Sequence, residues 1–158
     1  MATRLQLRRG TSTENNNFTG AEGELTYNST TKGLRIHNGS TKGGYLVDTV
    51  VGFQAPSSAN NYTWYRKYSS GWVEQGGQAT IAAQNANTQL FTDVNLPITM
   101  ANQAYLVNVA FITDGGNTTG LRNNANGRGT TKLTIGTFST SGLSNSYMVT
   151  WEVKGMAA

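Results

Sequence analysis

Apolar residues in this chain almost never recur at the spacing of a helix. Gly, Asn and β-branched residues interrupt nearly every window, and all of them are poor residues for a helix interior. Short segments with period-two alternation recur instead, separated by turn signals such as Asn38-Gly39. A disordered chain is excluded, because charged residues make up only 13% of the sequence and aromatic residues reach 9%. We therefore predict an all-β protein.

The strand pattern divides the chain into three parts. Residues 1–48 are predicted to form a small antiparallel module, and residues 49–61, which are irregular and include Pro56, a linker. Residues 62–158 contain a second set of strands that opens with a hairpin turning at residues 69–71. The strands predicted in the first module lie at 5–8, 24–27, 34–37 and 45–47. Those predicted after the hairpin lie at 78–83, 90–95, 104–112, 131–138 and 147–154.

The first module contains too few apolar residues to fold alone. Ordering a chain costs on the order of 1.5 kcal/mol per residue, and about ten buried apolar side chains contribute only about 2 kcal/mol each. The chain has no cysteine, so a disulfide cannot supply the difference. Another chain or the following part of the same chain must cover the module, and we favour self-association.

Two parts of the sequence resemble known tail-fibre segments. LQLRRGT (5–11), GELTY (23–27) and TKGLRIHNG (31–39) look like the short N-terminal module of phage tail-fibre and tropism-determinant proteins, over most of residues 4–46. TWYRKYSSGWVEQGG (63–77) resembles the tryptophan-rich hairpin that opens the C-terminal knob of phage and prophage tail fibres. A Leu-Pro or Phe-Pro step usually follows in such knobs, as Leu96-Pro97 does here.

The resemblance implies a homotrimeric tail-fibre protein of a virion. Its N-terminal module would be an intertwined β structure that also attaches to other tail or baseplate proteins, and its C-terminal part would be a β-sandwich knob. Such a protein attaches to a bacterial surface receptor, either a glycan or a surface protein. The start of the chain lacks a secretory signal pattern and no apolar run reaches the length of a membrane span. We therefore expect synthesis in the host cytoplasm and no membrane insertion.

The segment 114–129 is the most polar part of the chain and is predicted to be a loop. Its Asn, Thr and Arg side chains can bond sugar hydroxyls, and copies around a trimer axis would add avidity. The alternative is a solvated, mobile loop without a ligand. The candidate receptor-binding residues are Asp114, Asn117, Arg122, Asn123, Asn124, Asn126 and Arg128.

An aromatic cluster opens the second set of strands, and it has two interpretations. Rings beside cations can form a platform for a glycan or for single-stranded nucleic acid. Alternatively, Trp64 and Trp72 are cross-strand core partners of a hairpin, which we favour because the cluster lies in a regular hairpin. The candidate residues are Trp64, Tyr65, Tyr68 and Trp72.

Catalytic and metal-binding patterns are weak. His37 is the sole histidine, and we expect it to be half-exposed in a strand rather than a metal ligand. Acids such as Glu74 and Glu152 are isolated in sequence and are better suited to cross-strand ion pairs than to the paired carboxylates of a glycosidase. We expect no enzyme activity, no metal and no cofactor.

Three functional hypotheses follow. The leading one is a tail fibre that binds a bacterial receptor through loops of a trimeric knob, and the second is a purely structural fibre or baseplate component that contacts only virion proteins. The third is a single-strand nucleic-acid binder. Nucleic acid is not an expected partner, because the net charge of +4 comes from scattered Lys and Arg residues. The third hypothesis would use Tyr62, Trp64, Arg66 and Tyr68.

Overall fold

The computed structural model describes residues 6–112 and 121–158, and over these residues the protein is almost entirely β, as predicted. The elements are β1 (Arg8–Gly10), α1 (Ser12–Asn17), β2 (Leu25–Asn28), β3 (Leu34–Ile36), β4 (Tyr45–Val47), β5 (Val50–Gln54), a 3₁₀ turn (Ser58–Asn60), β6 (Trp64–Tyr68), β7 (Trp72–Ile81), β8 (Thr88–Asn95), β9 (Leu106–Ile112), β10 (Leu121–Arg128), β11 (Lys132–Ser139) and β12 (Tyr147–Met156). In the described ranges, no helix has the length and apolar character needed to cross a membrane.

The strands form three sheets. Their orders are β1-β2-β3-β4, β10-β11-β8 and β5-β6-β7-β12-β9. The chain divides into two compact units, which we call the N-terminal unit and the knob. The N-terminal unit comprises Met1–Val51 and Tyr68–Ser70, and the knob comprises Gly52–Lys67 and Gly71–Ala158.

The predicted linker, residues 49–61, is not irregular throughout. Val50–Gln54 forms β5, the outermost strand of the five-stranded sheet, and a 3₁₀ turn follows at Ser58–Asn60. Sequence alone did not indicate β5, because Gly52 interrupts its apolar pattern, yet an edge strand forms through backbone hydrogen bonds. The division into three parts stays a prediction.

In the N-terminal unit, β1 pairs with β2 in parallel, with Arg8 opposite Thr26. The prediction of an antiparallel module is wrong for this pair, whereas β2-β3 and β3-β4 are antiparallel. Parallel strands need a crossover connection, and α1 lies in that connection. A capping box that the sequence analysis overlooked starts α1. Glu14 N–H donates to Thr11 Oγ1 (3.3 Å), and Thr11 N–H donates to Glu14 Oε2 (2.7 Å).

His37 lies in the interior of the N-terminal unit. Only 2% of it is exposed, so the expectation of a half-exposed histidine is wrong. Gly20 N–H donates to its Nδ1 (3.2 Å), and Nε2 lies 3.0 Å from Thr26 Oγ1. Since Nδ1 accepts, Nε2 carries the proton and donates to the threonine. Gly20 and Gly44 leave room for the ring, because a Cβ at either glycine would lie within 3 Å of it. Both ring nitrogens are therefore engaged inside the protein.

The N-terminal unit has an inverted distribution of polarity. Its buried side chains include Asn15, Thr26, Asn28 and His37, and no large apolar side chain in residues 6–51 is fully buried. Several apolar side chains are instead at least 38% exposed. We call these the apolar surface of the N-terminal unit. They are Leu25, Ile36, Tyr45, Leu46, Val47, Val50 and Val51.

Asp48 holds residues 69 and 70 in place within the N-terminal unit. Its Oδ1 accepts hydrogen bonds from Ser69 Oγ (3.0 Å) and Ser70 N–H (3.0 Å), and its Oδ2 accepts one from Ser70 Oγ (2.8 Å). Burial acts to raise the pKa of Asp48, but the hydrogen bonds from Ser70 and Ser69 outweigh it. The pKa of this carboxyl therefore lies below its ordinary value.

This lowered pKa predicts an acid-dependent contribution to stability. The contribution is fully present above the unfolded-state pKa of about 3.9 and is lost as the pH falls through the lower folded-state value. We expect Asp48→Asn to lower the melting temperature by about 2–4 °C near neutral pH, since it weakens about one hydrogen bond. The difference from the native protein should shrink toward zero near pH ~2. Thermal melts at both pH values measure it, and a pH-independent difference would contradict the prediction.

The knob is a β-sandwich, as predicted. Every second residue along β11 and β12 is buried, so the inner faces of the two knob sheets enclose one apolar core. The buried side chain of Gln75 makes two hydrogen bonds to the backbone of Ile98. Gln75 Nε2 donates to Ile98 O, and Ile98 N–H donates to Gln75 Oε1, both at 2.8 Å. The core consists of Ile81, Val94, Leu96, Met100, Tyr105, Leu133, Ile135, Val149, Trp151 and Val153.

Candidate functional site

Residues 121–128, predicted to belong to a loop, form strand β10. β10 is the outermost strand of the three-stranded sheet and pairs antiparallel with β11. The loop prediction for 114–129 is therefore wrong over these residues. Asn and Gly have low strand propensity, but an edge strand is hydrogen-bonded on one side only and its outward side chains stay solvated. Asp114 and Asn117 lie outside the described residues.

Two of the predicted receptor-binding residues share the outer face of this sheet. Arg122 lies opposite Phe138, and Asn124 lies opposite Gly136. Residues directly opposite one another in a sheet project from the same face, so these side chains are neighbours. The two positions are exposed and mark one continuous surface.

The other predicted residues of β10 occupy three different environments. Asn123 lies opposite the buried Thr137. Asn126 falls at a register shift between Ala125 and Gly127. Arg128 has a structural partner, since its Nη1 donates to Tyr105 O (3.1 Å). The predicted set is therefore not a single row of the sheet, although Asn123 joins Arg122 and Asn124 in lining one groove, and its role in binding stays a prediction.

The same outer face includes aromatic and amide residues that sequence analysis did not select. On β8, Gln89 lies opposite Phe138, and Phe91 lies opposite Gly136. Phe91 is 56% exposed. We call this surface the Phe91 face. It consists of Gln89, Phe91, Arg122, Asn124, Gly136 and Phe138.

A groove of about 330 Å³ opens on the Phe91 face between Arg122, Phe138 and Gln89. Ligand pockets in proteins begin near about 300 Å³. Gly136 shapes the surface, because a Cβ there would collide with Asn124 Oδ1 and lie 3.2 Å from Asn126 Cβ. The absence of a side chain at this position lets Asn124 lie across β11.

An ion pair borders the Phe91 face on β8. Lys132 Nζ lies 2.5 Å from Asp93 Oδ2, and Thr134 Oγ1 donates to Asp93 Oδ1 (2.6 Å). The hydrogen bonds from Lys132 and Thr134 hold the pKa of Asp93 below its ordinary value. The charge of Lys132 is thus compensated, whereas Arg122 has no acidic partner among the described residues.

Among the aromatic candidates of the hairpin, Tyr65 lies on a different face of the sheet from Trp64, Tyr68 and Trp72. Trp64 lies opposite Gly76, and Tyr65 lies opposite the buried Gln75 on the other face of the sheet. The hypothesis that Trp64 and Trp72 are cross-strand partners is wrong, because Trp64 lies opposite Gly76 and not opposite Trp72. The short turn at residues 69–71 fixes this register, which separates the two tryptophans along the hairpin. Trp64, Tyr65, Tyr68 and Trp72 are all half-buried.

Sequence analysis missed Gln89, Phe91 and Phe138. All three lie in strands that were predicted approximately, at 90–95 and 131–138. Their alternation with buried residues was visible in the sequence. Alternation alone, however, does not say which of two faces packs on the core, and aromatic residues favour the core.

Solved structures with a similar fold are known. The C-terminal part of the P. aeruginosa R1 pyocin fibre matches with a TM-score of 0.51 and 14% identity, over 72% of this chain and 29% of that chain. An N-truncated R1-type pyocin tail fibre matches with the same TM-score and identity, over 72% of this chain and 88% of that chain. This chain thus spans less than a third of the first fibre structure. The likeness establishes an all-β tail-fibre fold.

The N-terminal residues make the class more specific. Residues 5–41 match the family model described as Major tropism determinant N-terminal domain. No curated protein matches the chain. The predicted resemblance is confirmed: residues 5–41 are similar to the N-terminal domain of tropism determinants, and the fold of the chain is similar to that of pyocin tail fibres.

Proposed function

We propose that this chain is the receptor-binding part of a virion tail fibre and that it binds a bacterial surface glycan through the Phe91 face. The observation that carries the proposal is the exposed ring of Phe91 on a surface that also holds Arg122, Asn124 and Gln89. An aromatic ring packs on the apolar face of a sugar, and guanidinium and amide groups bond its hydroxyls. A bacterial surface protein is the other receptor class.

We further propose that the chain acts as a homotrimer held together by its N-terminal unit. The apolar surface of that unit leaves large side chains in water, while its interior is polar. Covering these side chains with sister chains removes them from water and supplies the apolar core that the unit lacks. Several copies of a weak binding face then act together through avidity. The same unit is also the proposed attachment point to other tail or baseplate proteins.

Recognition is proposed to proceed without bond cleavage. The acids Glu74 and Glu152 both lie near Lys154, with its Nζ 3.9 Å from Glu74 Oε1 and 3.2 Å from Glu152 Oε1. A glycosidase needs one carboxyl with a raised pKa and one ionised carboxylate free to react. Two carboxylates that share a lysine suit an ion-pair network instead.

Cell binding tests the receptor-binding proposal. Labelled native chain is applied to a panel of bacterial strains, and a strain that binds it is used for the variants. We expect the double variant Phe91→Ala/Arg122→Ala to bind at least about tenfold more weakly, because it removes the ring and the uncompensated charge together. Asn145→Ala, at an exposed position outside the Phe91 face, serves as the control. Equal binding by the double variant and the control would overturn the assignment of this face.

A purely structural role in a fibre or baseplate is the second candidate. The apolar surface of the N-terminal unit favours it, because such a surface fits virion proteins as well as sister chains. This role predicts that no strain binds the native chain and that purified tail proteins do. The cell-binding assay therefore separates the two candidates.

A further inference from the structure

We propose a second saccharide site in the knob, in a groove beside Trp64 on the outer face of the five-stranded sheet. It is separate from the Phe91 face, which belongs to the three-stranded sheet. The groove encloses about 390 Å³. That volume lies within the ordinary range for small-ligand sites and is sufficient for a sugar.

The indole of Trp64 forms one wall of this groove. Trp64, Gly76, Glu152 and Asn108 stand opposite one another on four successive strands, so they form one row across the sheet. Gly76 does not itself line the groove, but its lack of a side chain leaves room in that row for the indole of Trp64. A Cβ at Gly76 would lie 2.9 Å from Trp64 Nε1 and 2.6 Å from Trp151 O, so the indole edge of Trp64 occupies the space beside the glycine.

The polar groups around the groove are unused. In the part of the chain that the structure describes, the indole N–H of Trp64, the amides of Gln78 and Asn108 and the hydroxyl of Tyr62 have no hydrogen-bond partner. Together they supply donors and acceptors around an aromatic wall. Sugars need this combination, since a pyranose has an apolar face and a rim of hydroxyls.

Tyr62 is held at the edge of the groove by an uncommon backbone. Asn61 and Tyr62 have φ of 53° and 55°, a left-handed conformation that is rare for a bulky residue. Hydrogen bonds from Tyr62 N–H to Ser57 O (2.8 Å) and from Thr63 N–H to Asn60 O (3.0 Å) fix it. Tyr62 nevertheless remains 47% exposed, so its ring is accessible to a ligand in the groove.

The charges around the groove favour a neutral ligand. Lys154 lies beside both Glu74 and Glu152, and Arg66 stands opposite Glu74 in the sheet. The cations of this face are therefore compensated by acids. Single-stranded nucleic acid needs uncompensated cations for its phosphates, so the row beside Trp64 suits a neutral pyranose better.

Protein NMR on the full chain tests the site. The chain has three tryptophans, and the indole N–H signal of Trp64 is assigned by its loss in Trp64→Phe. The probes are the methyl glycosides of glucose, galactose and N-acetylglucosamine, together with an oligothymidine. We expect at least one glycoside to shift the Trp64 signal saturably and to leave that of Trp72 unchanged. No saturable shift with any glycoside, or a saturable shift with oligothymidine alone, would overturn the proposal.

Two further variants locate the effect. Asn108→Ala removes one amide that has no partner and is expected to weaken glycoside binding at least about fivefold. Asn95→Ala, on the three-stranded sheet, should leave the affinity for the glycoside unchanged. The Phe91→Ala/Arg122→Ala variant should keep the full Trp64 response. If that variant loses the response, the two sites are not separate and the inference fails. Cell binding reports on the Phe91 face independently of this result.

Discussion

Ile135→Ala is expected to lower the free energy of unfolding of the knob by about 2–5 kcal/mol. Ile135 is fully buried on β11, in the core shared with Leu133, Val149 and Trp151. Truncation removes apolar surface from that core and leaves a cavity that the two sheets cannot close, because backbone hydrogen bonds hold both of them rigid. Urea unfolding followed by tryptophan fluorescence measures the loss, since Trp151 lies in the same core.

Asn95→Ala is the matched control for this variant. Asn95 is exposed at the end of β8, in the same sheet as Ile135, so its truncation should change stability by less than about 0.5 kcal/mol. A loss below about 1 kcal/mol for Ile135→Ala would show that the two sheets do not share a packed core, which contradicts the sandwich.

The double variant Val47→Asp/Val50→Asp is expected to dissociate the proposed homotrimer. Both valines belong to the apolar surface of the N-terminal unit, where Val47 is 38% and Val50 is 51% exposed. Full burial of a valine contributes about 1.5 kcal/mol, and the exposed fractions of these two valines together amount to about one such side chain. Losing that contribution weakens association about tenfold, and the cost of burying two carboxylates in their place raises the expected weakening to at least about a hundredfold. Sedimentation over a range of protein concentrations measures the change.

Lys42→Glu is the control for the association variant. It changes an exposed charge in the same unit without altering the apolar surface. We expect this control to sediment as the native chain does and to keep a melting temperature that rises with protein concentration. A native chain that sediments as a monomer and melts at a concentration-independent temperature would contradict self-association altogether.

The stability variant and the association variant should each affect the proposed receptor binding in a different way. If the double aspartate variant is monomeric yet keeps its folded knob, its cell binding should fall through lost avidity while the Phe91 face stays intact. Ile135→Ala should lower binding only to the extent that it unfolds the knob. The two variants therefore separate the contribution of assembly from that of the binding surface.

The strand content and the polarity of the first module followed from the sequence. Alternation and turn residues placed most strands within a few positions, because their side chains either face a core or face water. The number of apolar residues in residues 1–48 is too small for an apolar core, and the polar interior of the N-terminal unit agrees with that inference. The hairpin around Trp64 and Trp72 was recognisable by its turn at 69–71.

Errors occurred where backbone pairing or packing outweighed the local preference of a segment. The Asn-rich β10 forms only because β11 offers it a hydrogen-bonding edge, and β1 runs parallel to β2 only because α1 carries the chain across. His37 is buried because Gly20 and Gly44 leave it room. None of these arrangements could be inferred from the composition of the segment itself.

The sequence by itself determined that this is an all-β chain whose first module lacks an apolar core, since composition and alternation reflect the balance of burial and chain entropy. Only the tertiary structure decided which residues share a surface. Phe91, Arg122 and Asn124 come from two strands that do not touch each other and meet through β11, and Trp64 reaches Asn108 across two more strands. Register joins residues that are far apart in the chain, and it is set by the packing of the whole sheet.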